Sequence, residues 1–387
     1  NRESCKNRCG KAAHMAKGSS KFGKYKERKV REALRNPINV LKSLSEKSQE
    51  KSYKYQRLYR NLYNPEFYLL AYQNIYANKG SMTPGVDGMT IDGISMARIN
   101  RIIESMRNQS YQPKPARREY IKKKTGNKKR PLGISSADDK LVQEVVRMIL
   151  ESIYEGSFSV KSHGFRPNKS CHTALIQIRK TFTGAKWFVE GDIKACFDSF
   201  DHAVLIRILR KRIEDEVFLN LICKFLKAGY MEQWTFNKTY FGIPQGSGCS
   251  PILANIYLNE LDEFMQELKD KFDVGDCNRR IVSYEYESVR GRAKRLKKKY
   301  AKDWNEVSEE ERNRRAKEIR ELRAIYTKLP RYEARDENFK KIQYTRYCDD
   351  FLIGVIGSKE DAEMIKAEVK KFLAEELNLT LSDEKTK

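Results

Sequence analysis

The 387 residues are 40% hydrophobic, enough to bury a core and to divide into two or three packed subdomains. Lys and Arg number 77 against 52 Asp and Glu, and the resulting charge of +25 points to a polyanionic partner, nucleic acid ahead of an anionic membrane surface. No apolar run approaches the roughly 18 residues of a spanning helix, and the basic N-terminus lacks the apolar stretch of a secretory signal, so an intracellular setting without a membrane partner is expected.

Residues 1–60 hold 18 basic and 5 acidic side chains, and apolar periodicity begins only near Val40, so residues 1–36 are expected to be a basic arm. Cys5 and Cys9 with His14 make at most half a zinc site; the eight scattered cysteines read as reduced thiols. An N-terminal helical region, 37–110, follows. In it "YQRLYRNLYNPEFYLLAYQNIY" predicts an amphipathic helical pair broken at Asn64-Pro65, and "GSMTPGVDG" a loop. Residues 111–130 carry nine basic residues and one acid around a predicted hairpin turning at Thr125-Gly126-Asn127. Such a ribbon would repel itself without a polyanion, which favours a phosphate clamp over a solvated surface.

Helices are predicted over 137–155 and 172–181. An apolar strand, Trp187 to Val189, delivers Asp192 near its end, and 203–229 reads as helical. "TYFGIPQGSGCSPILANIYLNELDEFMQEL" runs from a strand through a Pro/Gly turn into a long helix. About 270–340 the chain changes character: 291–330 has 14 basic and 7 acidic residues, as in an inserted helical hairpin or extended loop. A strand-turn-strand spans 341–356, a helix 359–376, and "LNLTLS" a short strand. The order of elements in the second half describes an α+β layer, an antiparallel sheet covered by helices on one face.

"RYCDDFLIGV" sets two aspartates side by side between strand-like flanks. Adjacent carboxylates repel, and on a strand successive side chains point to opposite faces. One reading is a turn cap. The other is a divalent cation shared with Asp192, since magnesium takes a few carboxylate oxygens and completes its shell with substrate phosphates. Asp192, Asp349 and Asp350 around two ions would suit in-line nucleotidyl transfer. In "FDSFDH", Asp198, Asp201 and His202 read as the opening of a helix.

Several blocks in order resemble a known family: "SHGFRPNKSCHTAL" (162–175), "VEGDIKACFDSFDH" (189–202), "GIPQGSGCSPILANIYLNELD" (242–262) and "YCDDF" (347–351). With "KGSMTPGVDG" (79–88) and "KKRPLGIS" (128–135), they are similar to the reverse transcriptase/maturase proteins of bacterial group II introns, in the lineage related to mitochondrial ones, over roughly residues 37–387. The resemblance implies a right-hand polymerase fold, with fingers over 111–185, preceded by the helical extension, and a palm over 186–387 that carries the charged insertion. Family members continue beyond this point into a thumb, so a fingers–palm portion is expected, weakly active or inactive alone. It implies that Asp192, Asp349 and Asp350, with the Ile193 carbonyl, hold two magnesium ions. Phe197 stands where an aromatic ring excludes the 2′-hydroxyl, making the product DNA and not RNA. Lys123, Arg130, Gln245 and Lys385 are implied nucleotide contacts, and Lys122, Lys124, Lys128, Lys129 and Arg166 RNA contacts. The implied partners are group II intron RNA, an RNA template with a DNA primer, and deoxynucleoside triphosphates, in the bacterial cytoplasm; a homodimer is compatible. The alternative is an RNA-binding splicing factor whose polymerase centre is a relic. Cys348 and "QGSGCSP" depart from the family's usual Ala and Gly-rich runs at those places.

Overall fold

The computed structural model describes residues 36–78, 80–122, 129–243, 246–333, 336 and 338–382. Residues 1–35 of the basic arm, the turn at 125–127, and Lys123, Lys124, Lys128, Gln245 and Lys385 lie outside the described residues. In chain order the helices are α1 (Pro37–Lys47), α2 (Pro65–Tyr76), α3 (Met96–Arg107), α4 (Ala137–Tyr154), α5 (Cys171–Thr181), α6 (His202–Arg210), α7 (Glu216–Lys227), α8 (Ser250–Phe272), α9 (Tyr284–Tyr300), α10 (Glu309–Tyr326) and α11 (Lys359–Leu377); a single turn covers Cys196–Ser199. The strands are β1 (Ala116–Lys122), β2 (Lys129–Ile134), β3 (Trp187–Asp192), β4 (Tyr230–Glu232), β5 (Thr235–Asn237), β6 (Lys341–Tyr347) and β7 (Asp350–Ile356). Two compact units form, each from two stretches of sequence: Asn1–Phe158 with Ala195–Asn259, and Ser159–Lys194 with Glu260–Lys387. Among the described residues no helix is long and apolar enough to cross a membrane.

The first unit is built on α4. Ser136 caps this helix by accepting from the Asp139 amide, Asp138 and Asp139 favour its positive end, and Leu141, Val142, Val145, Val146, Ile149 and Ile153 are buried along it. α1 and α2 pack against it. Beside them lies a four-stranded sheet ordered β2-β1-β4-β5, antiparallel except where Ala116 and Arg117 of β1 run parallel to Tyr230 and Met231 of β4.

Three expectations fail in this unit. Residues 55–63 are not a helix: Tyr55 pairs with the chain at 212–214 through Tyr55 N–H to Arg212 O (2.8 Å) and Glu214 N–H to Tyr55 O (2.9 Å), leaving only a short 3-10 stretch at Tyr59–Tyr63. The 203–229 helix is two helices, the second restarted by Asp215, which caps the Phe218 amide. The strand expected before the Pro/Gly turn lies earlier, at Thr235–Asn237.

The second unit holds an antiparallel sheet ordered β3-β7-β6. Alternation assigns its faces. Ile342, Tyr344, Arg346, Phe351, Ile353, Val355 and Val189 occupy the buried one, under α8 and α11, whose Phe264 and Phe372 rings stack 4.2 Å apart. Asp192, Asp350, Glu190, Leu352 and Phe188 occupy the other, which is much more open. "LNLTLS" contributes a single bridge, Leu381 to Ile193, and not a strand. The charged insertion is a helical hairpin: α9 and α10 meet through Tyr286 against Tyr326 and through Tyr300 Oη to Glu318 (2.7 Å), on a neck closed by the bridges Val274–Lys340 and Val282–Tyr332.

Candidate active site

Register brings two of the three sequence-predicted acids together. Asp192, last in β3, is the cross-strand partner of Asp350, first in β7. Partners in an antiparallel pair put their side chains on the same face about 5 Å apart, and like charges so placed are destabilising unless a cation joins them. Asp349 stands in the two-residue turn between Tyr347 and Asp350. The isolated bridge beyond β3 uses the Asp192 carbonyl (from Ser382 N–H, 2.8 Å) and the Lys194 amide (to Thr380 O, 2.9 Å), so the Ile193 carbonyl is turned away from residues 380–382. Among the described residues no three His, Cys, Asp or Glu side chains close into a metal cage. The donor set nevertheless suits magnesium, which binds through one or two carboxylates and keeps positions open for water and phosphate.

The turn carrying Asp349 is tightly held from behind. Arg346 and Asp262 are both fully buried, joined by two bonds, Nε to Oδ1 (2.8 Å) and Nη2 to Oδ2 (2.6 Å). Tyr344 Oη donates to the same carboxylate (2.8 Å), and Arg346 Nη1 donates to the Cys348 carbonyl (2.8 Å). The backbone of Arg346 is clasped by the 161–163 segment, through Arg346 N–H to Lys161 O (2.9 Å) and His163 N–H to Arg346 O (2.9 Å). A Cβ on Gly164 would come within 2.4 Å of the Cys348 backbone nitrogen, so only glycine lets this segment press on the turn. Cys348 itself has φ +59°, a strained value for a side-chain-bearing residue. Burial, followed by the charges of Asp349 and Asp350, pushes its thiol up to about 12.

The other predicted contacts are distributed between the two units. In the first, Phe197 is half-buried, and its carbonyl accepts from Ile243 N–H (2.7 Å). Gly242, at φ +87°, lies so close to Phe197 and Asp198 that a Cβ would meet backbone at 2.8 Å, and its carbonyl accepts from His202 Nε2 (2.7 Å). Gly246, at φ +104°, lies equally close to Gly133 and Leu132 of β2. The glycines on either side of Pro244-Gln245 thus dock on the Phe197 turn and on the strand that carries Lys129 and Arg130. Arg130 is exposed opposite Ile121, and Lys122 opposite Lys129. In the second unit, Arg166 donates to the carbonyls of Ser159 (2.6 Å) and Ser162 (2.9 Å), bracing the loop that ends on Gly164.

The sequence reading missed Asp262 and its partner Arg346. A signal existed: Asp262 lies in α8 among Leu258, Leu261 and Met265, where an acid on the buried stripe requires a buried cation.

Residues 121–284 match the family described as reverse transcriptase (RNA-dependent DNA polymerase). The chain is 47% identical over 354 residues to the group II intron-encoded protein LtrA of Lactococcus lactis, covering 91% of this chain and 58% of that one. It is 40% identical over 359 residues to an uncharacterized 91 kDa protein in the cob intron of Schizosaccharomyces pombe, covering 91% and 42%. With the Escherichia coli protein YkfC it shares 33% identity over 345 residues, covering 87% and 80%. It thus spans little more than half of the Lactococcus protein. Blocks, register and relatives agree: the chain belongs to the family of reverse transcriptases encoded by group II introns.

Proposed function

We propose that this chain is the fingers and palm portion, 111–185 and 186–387, of an RNA-directed DNA polymerase that also binds its own intron RNA as a splicing maturase and in intron mobility. The observation that carries this is the cross-strand pairing of Asp192 with Asp350 on the open face, beside the turn bearing Asp349. These side chains, with the Ile193 carbonyl, would hold two magnesium ions, which when bound would activate the primer hydroxyl and neutralise the triphosphate. Lys123, Arg130 and Lys385 bind the triphosphate charge and Gln245 the sugar, while the Phe197 ring occupies the space a 2′-hydroxyl would need. Lys122, Lys124, Lys128, Lys129 and Arg166 contact RNA. The partners are an RNA template with a DNA primer, deoxynucleoside triphosphates and intron RNA, in the bacterial cytoplasm; a homodimer is an open part of the same proposal.

Primer extension tests it, with deoxy- against ribonucleotides and with Asp349→Ala. DNA synthesis that depends on Asp349 and rejects ribonucleotides is the expected result. Intron splicing stimulated equally by the parent chain and by Asp349→Ala, with no DNA synthesis by either, would leave the splicing factor alone standing.

A further inference from the structure

One face of the four-stranded sheet in the first unit carries Arg118 and Tyr120 from β1 and Tyr230 and Glu232 from β4, a grouping set by the parallel register of Ala116 with Tyr230. The Arg118 guanidinium lies 3.6 Å from the centroid of the Tyr230 ring, and Tyr120 Oη donates to Glu232 (2.6 Å). Beside them is a cavity of about 330 Å³, lined in part by Arg118, Pro131, Tyr230, Lys238, Tyr240 and Phe241. It is at the small end of ligand sites, about 300–1,000 Å³.

Three features of this face are unexplained by folding. Tyr240 and Phe241 are 72% and 61% exposed. The Arg118 Nε is buried with no hydrogen-bond partner, a donor left unsatisfied at a cost. The β4–β5 hairpin turns through Gln233 and Trp234, with φ of 47° and 64°, where a two-residue turn favours Asn-Gly, yet it displays Trp234 at 96% exposure. A large apolar ring on a strained, fully solvated turn costs stability and points to a binding role.

We propose that this face holds unpaired nucleotides of single-stranded RNA. One base enters the cavity and stacks among Tyr230, Tyr240 and Phe241, its phosphate meets Arg118 and Lys238, and Trp234 offers a further stacking surface. Aromatic rings set among cations are the chemistry of single-strand recognition, because every base has a face to stack and every phosphate a charge. On this face Arg118, Lys122 and Lys129, with Lys238 on the adjoining loop, outnumber Glu232 and the cavity-lining Asp198, which favours a polyanion over a second protein. A cavity of this size admits a single nucleotide and not a duplex. This rests on the RNA-binding reading above and gives that reading a place on the surface.

The test is fluorescence titration of the whole chain with a short single-stranded RNA of about 12 nucleotides and with a blunt RNA duplex. It is run in EDTA without nucleotides, so it reads this face whether or not the aspartates support synthesis. Failure of the aspartate reading would show in primer extension alone. Tyr240→Ala with Phe241→Ala is expected to raise the single-strand Kd about 10- to 100-fold and the duplex Kd by less than about threefold, since stacking supplies roughly one decade per base. Tyr240→Phe with Phe241→Tyr keeps the rings and should bind as the parent does. Arg118→Gln should lower the salt slope by about one.

Competition assigns the source. Folded intron RNA displacing the probe places the nucleotide in an intron loop, and failure to displace places it in a template strand; both keep the proposal. Equal losses for single strand and duplex, or none, overturn it. Unchanged RNA affinity with altered self-association in sedimentation would give the face to a second copy of this chain and overturn it as well.

Discussion

The second unit contains the same chemical pairing, arginine with carboxylate, in two settings. Behind the turn bearing Asp349, Arg346 and Asp262 are each 0% exposed, and the guanidinium also bonds the Cys348 carbonyl. In the charged hairpin, Arg315 reaches Asp303 (2.9 Å) and Glu311 (2.8 Å) while the Asp303 side chain is 42% exposed, and α10 buries no residue at all. Water and salt screen the second cluster and leave its members free to separate. The first pair has no such alternative, so it fixes one geometry, and the geometry it fixes is that of the turn bearing Asp349. The difference teaches that location, and not the number of ion pairs, decides which of them act on the site.

The largest effect should come from splitting the buried pair. Asp262→Ala leaves an uncompensated buried guanidinium and is expected to cost about 3–5 kcal/mol in urea unfolding. Arg346→Lys cannot reproduce the fork and should lose catalytic rate beyond its loss of stability. Replacing both partners with apolar residues should recover much of the stability but not the rate. If the rate recovered as well, the bond to Cys348 would have no positioning role.

Gly164→Ala comes next. The new methyl collides with the Cys348 backbone, so a shift of the turn is expected, with about 1–3 kcal/mol of overpacking cost. Single-turnover kinetics should register it as a fall in kcat larger than any change in KM, because the turn and not the binding surface has moved.

A smaller effect is expected from pH at His202, whose pKa is lowered by burial while its Nε2 holds the Gly242 carbonyl. A depressed pKa means that the unfolded chain takes up a proton that the folded chain refuses. Stability is therefore full above the ordinary histidine pKa near 6.5 and falls as pH drops below it. Melting from pH 7.5 down to about 5.5 should show a steeper loss in the parent than in His202→Gln; parallel slopes would contradict this.

Smallest of all should be Arg315→Ala, with little change in unfolding midpoint and none remaining in high salt. A loss as large as that of Asp262→Ala would erase the contrast between the two settings.

Where a segment's structure follows from its own periodicity, the sequence showed it. The strand-like flanks of the paired aspartates predicted the hairpin of 341–356, and α4 and α11 fall within a residue or two of the predicted spans. The conjunction of Asp192 with Asp350 was legible through block order, since each acid ends or begins an apolar strand. Residues 55–63 misled because a long-range pairing of Tyr55 with Arg212 and Glu214 overrides a helical pattern. The clamp on Cys348 and the cavity beside Arg118 join residues from distant stretches, and no local pattern records such a meeting. The division of the chain into two interleaved units was hidden for the same reason.

The most direct test of the proposed catalytic centre is single-turnover extension of a DNA primer on an RNA template by the parent chain, Asp192→Asn and Asp350→Asn. Removing one of two paired charges should withdraw several kcal/mol of support from the reaction, about a thousandfold in rate at tenfold per 1.4 kcal/mol, in both variants, with folding intact. Synthesis at the parent rate by either variant would contradict the account.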